Sequence, residues 1–445
     1  MSAARGTRSA AAAVLLFVAS PAAFVAVLLW TRSRAPLPGD PETFWDEAAR
    51  REIQAIVERR YVEPIDDAAA RRLFDRAMSG YVEGLDPFSR YFPADERKAL
   101  EQETSGAFGG IGVLVQSVPG GLRVTGVRIG GPADAAGVEP GDVVESVDGA
   151  AISGRDLGRT LDLVKGAPGT EVVLAVRRGD AAPLDVRVER AVVPFDSVPG
   201  VRLVPGDPPV GYVRIEQFTD RTAEDARAAV DGLLRDGAGA VVLDLRRNLG
   251  GVVRTAVETA GLFLPEGALV CVTRRRDGNE THAAKPPAGA APAAFQMSVP
   301  LAVLVDETTA SASEILAGAL QDHGRAVLVG ERTFGKFLVQ SLVDAPSSGG
   351  VVRLTTSRYV TPRGRSNARD ESNALSGGLL PDIRVPLRSD AARESVRLAL
   401  DALAGPEWRT LPREGPEPRD PQFEAALALL RGGRPPGEPV SRRPL

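Results

Sequence analysis

Lysine is scarce in this chain. Of 445 residues 54 are basic, yet only Lys98, Lys165, Lys285 and Lys336 are lysine. Cysteine occurs once, as Cys271, so no internal disulfide can form. Its neighbours, GALVCVT, are apolar, which suits a buried structural thiol rather than a reactive one. Histidine occurs twice, as His282 and His323. Two histidines and one cysteine give no cluster with metal-ligand spacing. His282 lies in an Ala/Pro-rich stretch, a poor place for a positioned base, and His323 ends a helical pattern, where the helix C-terminus accounts for it. A Ser-His-Asp apparatus is therefore not supported. The net charge is -4 and no basic run interleaves with aromatics, which excludes the footprint of a nucleic-acid binder. No Gly-x-x-x-x-Gly-Lys-[Ser/Thr] pattern occurs, which disfavours a phosphate-binding loop.

The remaining composition, 43% apolar and 25% charged, describes a soluble body long enough for two or three domains. Residues 10–31 differ: they carry no charge and are flanked by Arg5, Arg8, Arg32 and Arg34. Such a run is long enough to span a bilayer and reads as an uncleaved transmembrane signal anchor, with the body outside the cytoplasm. A Pro-rich linker follows at 35–42. Residues 43–104 carry a helical pattern, broken by the turn in GLDPFSRYF (84–92). Residues 105–190 hold short alternating strands between Gly, Pro and Asp, a small β-rich module. Residues 191–404 alternate strand and helix patterns, which predicts an α/β core. Within it, the Ala/Pro-rich 275–297 reads as a mobile loop. The tail 405–445 reads as mostly disordered, with a helical turn or two in FEAALALL (423–430).

One constellation could carry chemistry without histidine. The apolar strand PLAVLVD (300–306) runs into DETTASASEILAGAL (306–320), so Ser311 stands at a strand-to-helix turn. Helix-start amides there carry partial positive charge, and the Ala312 N–H could stabilise an oxyanion. Ser311-x-x-Glu314 equally matches a capping box, and Ser313 is a competing nucleophile. Lys336 stands in an apolar setting with Val327, Leu328, Val329, Phe334, Phe337, Leu338 and Val339. Desolvation lowers a lysine's proton affinity, whereas arginine cannot give up its proton. Gln340 could orient that lysine. LRRNLGG (245–251) is a tight βα turn whose Gly250 could give a second oxyanion amide.

Together these stretches resemble a known family. ASASEILAGALQDHGRAVLVGERTFGKFLVQ (310–340) resembles the signature of the C-terminal processing peptidases, or tail-specific proteases, which are serine proteases with a Ser-Lys pair. LDLRRNLGGVVRTAVETAGLFL (243–264), GYVRIEQF (211–218), YVTPRGRSN with LLPDIRV (within 359–385) and GLDPFSRYF resemble further blocks. FGGIGVLV (108–115) with GGPADAAGVEPGDVVESVDG (130–149) is similar to the family's PDZ module. The resemblance covers about 43–388 and implies a multidomain α/β protein. A Clp protease/crotonase-like core would carry an inserted PDZ module, an N-terminal helical segment and the anchor.

The resemblance also assigns roles. Ser311 is the implied nucleophile, Lys336 the general base and Gln340 its helper. Ala312 and Gly250 are the implied oxyanion donors. Gly109, Gly110, Ile111 and Gly112 form the implied carboxylate-binding loop, with Ile111 and Val113 lining an apolar pocket. The implied substrates are proteins with exposed apolar C-termini, cleaved without metal or organic cofactor. The implied place is the bacterial inner membrane, with a single-pass anchor and the catalytic body on the periplasmic or extracytoplasmic side. A homo-oligomer is compatible with this reading. Two positions depart from the family pattern: Leu249 replaces a usual proline and Phe337 a usual glycine. Phe337 either improves desolvation of Lys336 or crowds it, and crowding motivates a second reading, a catalytically silent PDZ scaffold. A third reading is a crotonase-like acyl-transfer enzyme.

Overall fold

The computed structural model of the full chain describes residues 47–97, 100, 107–153, 157–194, 196–285, 299–366, 368, 377–401, 408–410, 418–434 and 438–439. The sequence-predicted anchor (10–31) and linker (35–42) lie outside the described residues. Among the described residues no helix is long and apolar enough to cross a membrane. The chain divides into two compact units at Phe74/Asp75. The helix Glu47–Arg60 belongs to the first.

Within the larger unit, the catalytic-candidate region is built on a seven-stranded sheet. Its strands run in the order Arg202–Val204, Val210–Arg214, Ala240–Asp244, Leu301–Val305, Val327–Gly330, Ile383–Arg384, Glu438–Pro439. The five central strands are parallel, and each end strand is antiparallel to its neighbour. Parallel strands buried on both faces read as continuous apolar runs. The strands AVVLD and LAVLV fit that rule, every residue being buried. One face packs Val241, Leu243, Val303, Val305 and Leu328 against the helices Thr222–Arg235, Val253–Ala260 and Ala312–Asp322. The opposite face presents Val210, Tyr212, Val242, Ala302, Leu304 and Val329.

That opposite face corrects the reading of the C-terminal tail. Residues Pro421–Leu430 form a helix whose Ala425 and Ala426 are fully buried on this face. Asp420 caps it by accepting from the Phe423 N–H at 2.9 Å. A sheet apolar on both sides needs both sides covered, and the tail supplies the second cover. Trp408–Thr410 and Glu438–Pro439 are also strands, added to the edges of existing sheets. The loop expected over 275–297 is likewise corrected in its first part. Gly278–Ala283 is a strand that pairs back on Leu269–Arg275. Residues 286–297 of that loop lie outside the described residues.

A second sheet joins Arg90–Phe92, Gly350–Val360, Leu269–Arg275 and Gly278–Ala283, with Leu338–Ala345 also paired to Gly350–Val360. It matters because GLDPFSRYF enters it through Arg90–Phe92. The β-rich module forms its own sheet, in the order Trp408–Thr410, Gly121–Arg128, Val143–Val147, Glu171–Arg177, Leu184–Glu189. Val113–Val118 also pairs with Gly121–Arg128, and with no other described strand. The module has a separate core of Ile111, Val124, Val127, Val144, Val172, Leu174 and Val188.

Candidate active site

The site is assembled where two strand-to-helix turns meet. After Leu301–Val305, Asp306 accepts from Thr308 N–H at 3.0 Å and from both the Thr309 N–H and hydroxyl, which fixes the turn. Thr309 also donates to the Leu245 carbonyl at 2.9 Å, and the Ala310 N–H donates to the Asn248 carbonyl at 3.0 Å. The Ser311 turn is therefore stitched to the Gly250 turn. Ser311 then takes φ +55°, ψ -117°, as the N-cap of the helix Ala312–Asp322. A non-glycine residue at such angles costs on the order of 1–3 kcal/mol, so the surroundings must hold it there.

Glu314 supplies much of that hold. Its carboxylate is fully buried and accepts four hydrogen bonds. Oε2 takes the N–H of Ser311 at 3.0 Å and of Lys336 at 2.9 Å; Oε1 takes the Gly335 N–H at 2.8 Å and the Thr333 hydroxyl at 2.6 Å. One oxygen atom thus ties the backbone of the candidate nucleophile to that of the candidate base. Burial pushes this carboxyl's pKa up, and the four donors oppose the shift. Because every contact is a donor, the ionised form is the one this site fits. The capping-box pattern was legible in sequence; its reach to 333–336 was not.

Lys336 is largely desolvated, and burial, aided by the nearby Arg353 charge, lowers its pKa to about 8. Glu314 and Asp86 act in the opposite direction. Its Nζ lies 4.8 Å from the centre of the Phe88 ring. Phe88 belongs to GLDPFSRYF, so that block covers the lysine. Sequence reasoning missed this because Phe88 and Lys336 lie far apart along the chain. Phe337 does not cover the ammonium; its own fully buried ring stacks on Tyr359, with centroids 4.6 Å apart. Its backbone has φ +40°, which is why glycine suits this position.

Three sequence assignments change in detail. Ser313 is fully buried with its hydroxyl donating to the Asn248 carbonyl at 3.2 Å, whereas Ser311 keeps some exposure. Gln340 does not orient Lys336. Strand register sets it opposite Thr355, and its amide donates to Thr355 Oγ1 at 3.2 Å. Thr355 in turn donates to Asp86 Oδ1 at 3.2 Å. The Gly250 N–H is taken by Asn248 Oδ1 at 2.8 Å, so it is not an uncommitted oxyanion donor. Asn248 is fully buried and also donates to the Ile215 carbonyl, which pins its side chain beneath the turn.

Gly250 nonetheless belongs to the site. A Cβ placed there would lie 2.8 Å from Ser311 Cβ and 3.0 Å from the Ala312 nitrogen. The missing side chain keeps clear the space before the Ala312 amide, which opens the helix and has no acceptor within it. Leu249 is 71% exposed, so the residue replacing the family's proline does not fill this space.

In the β-rich module, Gly112 has φ +75° and Gly109 packs against Gly166, where a Cβ would sit 2.0 Å from the Gly166 oxygen. Gly109 and Gly110 are tied into a strand with Ala191–Pro194. Ile111 is in the module's core, 2% exposed, and Val113 packs beside that core.

The profile of Peptidase family S41 matches residues 209–385, and that of a PDZ domain matches 123–178. The Carboxy-terminal-processing protease of Bartonella bacilliformis is 33% identical over 94% of this chain and 96% of its own length. The Carboxyl-terminal-processing protease of Synechocystis sp. is 33% identical over 78% of this chain and 74% of its own. Among solved structures, the photosystem II D1 C-terminal processing protease matches with TM-score 0.47 and 30% identity, over 76% of this chain and 87% of that one. On the strength of the sequence relatives, this chain belongs to the carboxy-terminal processing proteases of peptidase family S41, serine-type peptidases with a PDZ domain.

Proposed function

We propose that Ser311 and Lys336 form the catalytic pair of an endopeptidase acting on protein C-terminal tails. The carrying observation is the single Glu314 oxygen that accepts from both backbones. Neutral Lys336 takes the Ser311 hydroxyl proton as Oγ attacks the scissile carbonyl. The developing oxyanion accepts from the Ala312 N–H. Lys336 then protonates the leaving amine, and water hydrolyses the acyl-enzyme. These steps need no metal or organic cofactor.

The PDZ domain binds the C-termini of protein substrates by strand addition. The edge of Val113–Val118 away from Gly121–Arg128 suits that mode, and the apolar surroundings favour apolar tails. Residues 10–31 anchor the chain in the bacterial inner membrane, with this body on the extracytoplasmic side. The silent-scaffold reading loses its motive, because Phe337 packs on Tyr359 rather than over the lysine.

Cleavage of peptides ending in apolar or charged residues tests the activity. The full chain cuts the apolar set, and Ser311→Ala and Lys336→Arg do not. Normal cleavage by Lys336→Arg overturns the assigned base. Membrane fractionation of cells tests the anchor: the full chain sediments and a chain lacking 1–34 stays soluble. Equal partition of both removes the anchor from the account.

A further inference from the structure

We propose that Phe337 and Tyr359 act together as positioning residues that orient the Ser311–Ala312 peptide. This rests on the reading of Ser311 as nucleophile and Ala312 as oxyanion donor. The Tyr359 hydroxyl, fully buried, donates to the Ser311 carbonyl at 3.0 Å and also faces the Glu314 carboxylate. That carbonyl and the Ala312 N–H belong to one planar, trans peptide unit, so they point in opposite directions. Fixing the carbonyl therefore fixes the aim of the N–H. A donor on the carbonyl also polarises the unit and strengthens its N–H as a donor.

The same carbonyl accepts the Glu314 and Ile315 N–H groups from the helix, at 2.9 and 3.0 Å. Those two bonds hold it to the helix; the tyrosine approaches from the second sheet, at the end of Gly350–Val360. Phe337 keeps the tyrosine there. The two rings stack with planes 20° apart, and the Tyr359 N–H donates to the Phe337 carbonyl at 3.3 Å. Phe337 follows Lys336 directly, whose N–H is held by Glu314. The φ of +40° is one that a bulky side chain leaves unless packing retains it. Here the packing partner is the tyrosine. The chain thus tolerates a phenylalanine where glycine fits the backbone better, and the ring braces the group that aims the peptide.

The test uses the full chain, a peptide with an apolar C-terminus, and a fluorophosphonate that labels the active serine. Tyr359→Phe keeps the stack and deletes one hydroxyl. It is expected to lower kcat and the labelling rate about tenfold each, with KM within twofold, as loss of a transition-state interaction requires. Phe337→Leu lowers both about fivefold. Phe337→Gly does the same although it relaxes the backbone. The double variant Tyr359→Phe/Phe337→Leu is no slower than Tyr359→Phe alone, because both losses act through the one Tyr359 hydroxyl. Thermal melts confirm folding, and the Phe337 variants carry the test if Tyr359→Phe does not fold. Unchanged kcat in Tyr359→Phe, or losses that simply multiply in the double variant, overturn the proposal. Failure of the underlying reading looks different: wild type is not labelled at Ser311, or Ser311→Ala still cleaves.

Discussion

Lys336 is held in a setting that disfavours its own charge. Burial, with Arg353, brings its pKa from 10.5 to about 8. The unfolded chain therefore binds more protons than the folded one between about pH 8 and 10.5, and stability rises with pH across that window. Below it the cost of burying the ammonium is fully present. Each pKa unit is worth about 1.4 kcal/mol. Lys336→Met is thus expected to be inactive yet more stable at pH 7 by about 1–3 kcal/mol, read from denaturant midpoints. Glu314→Gln works in the other direction. Its amide would turn a donor toward two of the four donors that Glu314 accepts. A loss of about 2–4 kcal/mol in stability and at least about a hundredfold in kcat is expected, checked by melts and initial rates. Ser311 and Lys336 were legible in sequence because local setting marks them: a helix start and an apolar run. Glu314 was legible only as a cap, since its bonds to 333–336 depend on how the chain returns.

Among the elements, the Gly250 turn joins sequence to chemistry most directly. A Gly250→Ala variant places a Cβ within 3.0 Å of Ser311 Cβ and the Ala312 nitrogen, at φ +104°. It is expected to lower kcat at least about a hundredfold while retaining the fold, measured by fluorophosphonate labelling beside circular dichroism. Peptide affinity at the proposed PDZ strand is expected to be unchanged. The turn itself could be read from Gly-Gly; that Asn248 claims the Gly250 amide could not, because a side-chain acceptor two residues back leaves no pattern. The strand Gly278–Ala283 was hidden for a related reason. Its residues, GNETHA, are almost all exposed and polar, so no alternation marks it. Gln340 was assigned to the lysine by spacing, and cross-strand register gave it to Thr355 instead.

At the scale of the molecule, the α/β class and the separate β-rich module followed from alternating patterns, whereas closure of the main sheet did not. A Pro/Gly/Arg-rich flank masked the helix Pro421–Leu430, which covers a whole sheet face. Arg246 locks it on. Its guanidinium, 1% exposed, donates to Asp244 and, at 2.7 and 2.8 Å, to both oxygens of Asp420. Asp420→Ala leaves that buried cation short of a partner and is expected to cost about 2–4 kcal/mol in a denaturant melt. A melt unchanged by the substitution means the helix is not held this way. Arg246 lies two residues before Asn248, so the tail docks on the same strand-to-helix segment that carries the Gly250 turn. In the proposed mechanism Lys336 acts on Ser311 from its neutral form, which gains population as pH rises through about 8. Because the chain has only four lysines, each can be followed by NMR after 13C labelling at Cε. The resonance lost in Lys336→Arg is expected to titrate with a midpoint of about 8, and kcat/KM to rise with pH at the same midpoint. A Lys336 resonance titrating at the ordinary 10.5, or a kcat/KM already at its plateau by pH 6, would contradict it.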